Sequence, residues 1–142
     1  MKRLILATVL MMVVVGQAWC FDPSGDYSFK EKGMSGDMVV SETTNMHGES
    51  EIKVKLDTMN SQTNMCEIEA TGGRSISSDQ SIDALFVVPT DGFYPEIKFE
   101  ITFTPKGAKI KTLTDGPNGC GLNVYFDGKW SKVVAKRKGG KE

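Results

Sequence analysis

Apolar and polar residues alternate with a period of two along most of this chain. Ile97, Phe99, Ile101 and Phe103 are separated by Lys98, Glu100 and Thr102. Such alternation belongs to a strand with one buried face and one wet face. Ile52, Val54 and Leu56 alternate in the same way with Lys53, Lys55 and Asp57, and Cys66, Ile68 and Ala70 with Glu67, Glu69 and Thr71. Weaker patterns predict strands over 26–30, 38–43, 84–88 and 109–113. Between them lie turn residues, at 33–36, at Asp91-Gly92 and at 115–119. Pro105-Lys106-Gly107 suits a three-residue connection, and Asp127-Gly128 the two central positions of a tight hairpin. The polar stretch 71–81 reads as the longest loop, with room for one helical turn over 78–85.

About seven or eight short strands joined by adjacent hairpins amount to an antiparallel meander. Its two free edges need pairing or cover, because an open edge recruits other chains. The expected fold is therefore all-β, a small antiparallel meander closed as a barrel or compact sandwich. Its predicted core is Ile52, Val54, Leu56, Ile68, Ile97, Phe99, Ile101, Phe103, Leu122, Val124 and Phe126.

The N-terminus has a different pattern. Lys2 and Arg3 precede an apolar run over 4–15 that only Thr8 interrupts, and Gly16-Gln17-Ala18 comes next. Charge, apolar run and small residues in that order make a cleaved secretory signal. The run is too short to span a bilayer, which takes about 20 residues. Cleavage falls after Ala18 or after Cys20, so residues 1–20 are expected to be removed. The mature chain is then one all-β domain over 21–135 with a flexible basic tail over 136–142. It is expected to be periplasmic or secreted, with no transmembrane segment. Trp19, directly before Cys20, argues against lipidation there.

Losing Lys2 and Arg3 takes the basic count from 17 to 15 against 18 acidic residues, a net charge of −3. A mildly acidic domain lacks the clustered basic face of a nucleic-acid binder, so no nucleic-acid partner is expected. The single histidine, His47, sits in the polar run 43–50. There it reads as a surface turn residue rather than the base that nucleophilic catalysis needs. One histidine and scattered cysteines do not make a zinc site, which takes four ligands. Glu67 and Glu69 share a strand face, but one that faces water. The residues thus predict no catalytic group, no metal and no cofactor. Cleavage after Cys20 would leave Cys66 and Cys120, and an even pair in an oxidising compartment reads as a disulfide. If Asp127-Gly128 turn a hairpin, Tyr125 pairs with Trp130 on the face opposite Val124, Phe126 and Val133. That makes Tyr125 and Trp130 the candidate partner-contact patch.

The segment Phe21-Asp22-Pro23-Ser24-Gly25-Asp26-Tyr27, with Cys120-Gly121 and Phe126-Asp127-Gly128-Lys129-Trp130, resembles a set of small periplasmic β-barrel proteins. Some relatives of that kind inhibit lysozyme. The resemblance implies an exported, non-enzymatic binding protein whose partner is a lysozyme or another cell-wall hydrolase. It assigns no inhibitory residue. Two alternatives stand beside it: a barrel carrying a small apolar ligand, and an enzyme whose site is assembled from distant residues. A carrier needs a hollow interior, whereas an inhibitor needs a filled core and an exposed contact surface.

Overall fold

The computed structural model describes residues 21–78, 80–88, 96–114 and 124–134. Eight strands succeed one another: β1 (Gly25–Glu31), β2 (Met34–Thr44), β3 (Ser50–Asn60), β4 (Met65–Ser78), β5 (Ser81–Val88), β6 (Ile97–Thr104), β7 (Gly107–Thr112) and β8 (Gly128–Lys132). Each pairs antiparallel with the next, and β8 returns to β1 through Tyr27 opposite Lys132 and Ser28 opposite Ser131, closing the barrel. Closure removes both edges of the meander.

The alternation read from the sequence sorts the residues correctly. Ile52, Val54, Leu56, Ile68, Ile97, Phe99, Ile101, Phe103, Val124 and Phe126 are all buried, as is Cys66. Leu122 lies outside the described residues. Aromatic rings fill the interior: Phe86 stacks on Phe99 at 5.1 Å, Phe126 meets Phe99 edge-on at 5.3 Å, and Phe29 stacks on Trp130 at 5.0 Å. Glycines make room for them. A Cβ on Gly72 would sit 2.8 Å from the Phe86 ring, and one on Gly36 2.9 Å from the Trp130 indole. Small and large residues thus alternate across the interior, as small barrels require.

Three expectations are corrected. Residues 71–81 are not a loop: β4 runs to Ser78 and β5 starts at Ser81, so no helical turn occupies 81–85. Their polar, glycine-rich composition hides a strand because Gly72 and Gly73 pair in register with Phe86 and Leu85, and the Phe86 ring leaves no room for a side chain at Gly72. The Pro105 turn is shorter than expected, since Thr104 pairs directly with Gly107 across two residues. Asp127-Gly128 do not form a hairpin turn. Gly128 belongs to β8, opposite Ile110, and the β7–β8 connection spans 113–127.

Candidate functional site

The path of the chain through Asp127-Gly128 decides where Tyr125 and Trp130 lie. The Asp127 carboxylate accepts hydrogen bonds from the Thr112 N–H at 2.8 Å and the Thr112 hydroxyl at 2.5 Å, tying the connection to the end of β7. The chain therefore runs onward through Gly128 instead of reversing. Without a reversal, residue 130 keeps the parity of 124 and 126, and all three point inward. Trp130 is only 2% exposed, and its indole N–H donates to the Phe126 carbonyl at 3.0 Å. Tyr125 is partly buried against the core, and Val133 is half exposed instead of buried. Tyr125 and Trp130 consequently form no exposed pair.

The other residues singled out from the sequence lie apart from one another. His47 is exposed in the β2–β3 loop, its N–H bonded to Asn45 Oδ1. Glu67 and Glu69 face water and pair with Lys55 and Lys53. The Lys53 ammonium holds the Glu69 carboxyl below the usual range, and hydrogen bonding to Glu67 raises Lys55. Exposed pairs of this kind contribute little stability. Cys66 is buried and its sulfur is in a disulfide. Cys20 and Cys120 lie outside the described residues, and so does the basic tail.

A candidate site appears instead beside the β2–β3 loop, at the barrel end where the chain enters. A cleft of about 450 Å³ is lined by Asn45, Glu49, Ser50, Glu51, Gly73 and Arg74. The Asn45 side chain organises it. Asn45 Oδ1 accepts from the N–H groups of His47 and Glu49, while Asn45 Nδ2 donates to Glu49 at 2.9 Å and Glu51 at 3.3 Å. The loop and the two carboxylates are thereby held as one unit. Arg74 pairs with Glu42 at 2.6 Å, and the two side chains are only 18% and 34% exposed. Water screens such a pair less than it screens the surface pairs of β3 and β4. Gly73 leaves the cleft floor bare, because nothing lies within 4 Å of where its Cβ would be.

The chain entry packs over the same end. The Tyr27 hydroxyl donates to the Pro23 carbonyl at 2.6 Å, and the Lys132 ammonium donates to the Asp22 carbonyl at 2.8 Å and lies over the Tyr27 ring. Burial, aided by the Asp22 charge, pushes the Tyr27 phenol up to about 12. The Ser24 N–H, aided by Lys132 and Arg74, holds the Asp22 carboxyl below its usual range.

This arrangement offers fixed charges and hydrogen-bonding groups on a rigid rim, which suits recognition of a polar surface. The cleft is hidden from the sequence because Arg74 falls in a stretch whose composition reads as a loop. Asn45 ahead of Gly48 is the available signal, since asparagine before an αL glycine organises turns. Comparisons with protein-family models, with characterised proteins and with solved structures find no match for this chain.

Proposed function

We propose that this protein is an exported, non-enzymatic binding module that blocks a lysozyme or another cell-wall hydrolase. The observation carrying the proposal is the pairing of a packed interior with a rigid charged cleft on the rim. Inward positions of the described strands hold Trp130, Tyr27, Phe86, Phe99 and Phe103, each nearly or fully buried. So many large buried side chains support a packed interior over the hollow one that a small-ligand carrier needs. The cleft supplies what a protein partner needs: Glu49 and Glu51 braced by Asn45, beside the shielded Glu42–Arg74 pair. An acidic mature chain suits a basic partner, because complementary charge steers encounter and suppresses wrong pairings.

The export reading is part of the proposal, and with it a Cys66–Cys120 disulfide. Topology supports that pairing. Cys66 opens β4 just after the β3–β4 turn, and this turn lies at the same barrel end as the β7–β8 connection that contains Cys120. β1, which follows Cys20 in the chain, begins at the opposite end.

Turbidity assays on cell-wall suspensions with c-type, g-type and i-type lysozymes test the function. Inhibition by the protein at micromolar concentration is expected for at least one type, and the double variant Glu49→Lys/Glu51→Lys should lose it while keeping its β-sheet circular dichroism. No inhibition of any type removes the hydrolase-blocking role. Full inhibition by the double variant moves the contact away from the cleft.

A further inference from the structure

The outer face of the β3–β4 ladder breaks its own rule at one place. Its directly opposed outward pairs run Lys53–Thr71, Lys55–Glu69 and Asp57–Glu67, all polar, and then Met59–Met65. Both methionines remain in water, at 40% and 63% exposure. They sit at the opposite end of the barrel from the charged cleft, beside a hollow of about 150 Å³ also lined by Ser35, Asp37 and Asp57.

We propose that Met59 and Met65 form a binding site for a soft monovalent metal ion, Cu(I) in the cell. Thioether sulfur is a soft ligand that selects Cu(I) over harder cations. Directly opposed residues on paired strands have Cβ atoms about 4.5–5.5 Å apart. Two unbranched, flexible side chains starting from there can turn their sulfurs toward one ion. The turn below holds the two strands in register: Asn60 Oδ1 accepts from the N–H groups of Gln62 and Asn64, and the Asn60 N–H donates to the Asn64 carbonyl. Asp37 and Asp57, directly opposed on β2 and β3, line the same hollow as the two methionines, so carboxylates from two neighbouring strands lie beside the pair. Their charge favours a cation while the thioethers choose which one. Two sulfur ligands leave the rest of the ion's coordination open, which suits a site that exchanges its metal.

Met46 provides the internal control, as it is 98% exposed in the β2–β3 loop with no methionine opposite. The experiment titrates the protein with Ag(I), a redox-inert stand-in for Cu(I), after alkylation of any free thiol and with the disulfide left oxidised. Methionine methyl resonances are monitored by NMR. Met59 and Met65 should shift together and saturate at one ion, well before Met46 responds. Met59→Leu and Met65→Leu, which conserve volume at exposed positions, should each weaken binding at least tenfold, whereas Met46→Leu should not change it. A response at Met59 and Met65 no stronger than at Met46, or affinity that survives either leucine substitution, overturns the site.

Discussion

The two ends of the barrel are built from the same two devices, used with different chemistry. At each end an incoming segment is tied down by an aromatic residue that reaches back four positions to a backbone carbonyl. Tyr27 does this to Pro23 at one end, and Trp130 to Phe126 at the other. Each end also carries a loop headed by asparagine. In 45–49 and in 60–64 the asparagine side chain accepts from the N–H groups two and four residues on, while its own N–H donates to the carbonyl four residues on. The fourth position of each loop has positive φ, 79° at Gly48 and 64° at Thr63. Glycine adopts that conformation freely, but a β-branched residue is strained there. The cleft end thus has a relaxed loop and a titratable anchor, and the methionine end a strained loop and an anchor that does not titrate.

Removing an anchor tests the comparison most severely. Trp130→Ala deletes a ring stacked on Phe29 inside the barrel, and should cost about 3–5 kcal/mol in chemical denaturation. Tyr27→Phe keeps its ring and loses only the bond to Pro23, so about 1–2 kcal/mol is expected. Equal losses would mean that the hydrogen bond, not the packed ring, holds each segment.

Alkaline pH separates the ends further. The Tyr27 phenol titrates at 10.0 when unfolded and at about 12 when folded. Its neutral form is the one the fold favours. Its contribution is therefore complete below pH 10 and is lost as pH rises from 10 to 12. Unfolding curves across this range should show the loss in the native protein and a smaller one in Tyr27→Phe. An unchanged slope in that variant would place the effect elsewhere.

The smallest effects concern the loops and should have opposite signs. Gly48→Ala puts a side chain where φ is positive and should destabilise by about 1 kcal/mol, whereas Thr63→Gly relieves that strain and should stabilise by a similar amount. Thermal melts of the two variants check this. Shifts of the same sign would show that the loops are not equivalent.

The strands of this barrel are legible in the sequence because burial on one face imposes a two-residue period. Ile52 to Leu56 and Ile97 to Phe103 carry it without interruption, and both segments lie where the pattern puts them. The same period places Cys66 inward and Glu67 and Glu69 outward. Composition misleads where close packing overrides it. The stretch around Gly72 and Gly73 has the residues of a loop, yet Gly72 is what lets β4 pass beneath Phe86.

What the sequence determined alone was local: which residues share a face, and that a meander of such strands has to close. Only the tertiary structure decided which way Trp130 points. Asp-Gly is compatible with a hairpin turn and equally with an extended strand entry, and local propensity does not choose between them. The choice came from Thr112, far along the chain, whose N–H and hydroxyl both bond Asp127. The cleft has the same origin, since Asn45 and Arg74 are distant in the chain and meet only when β2, β3 and β4 pair in register. Period is a property of neighbours in sequence, whereas a site is a property of neighbours in space.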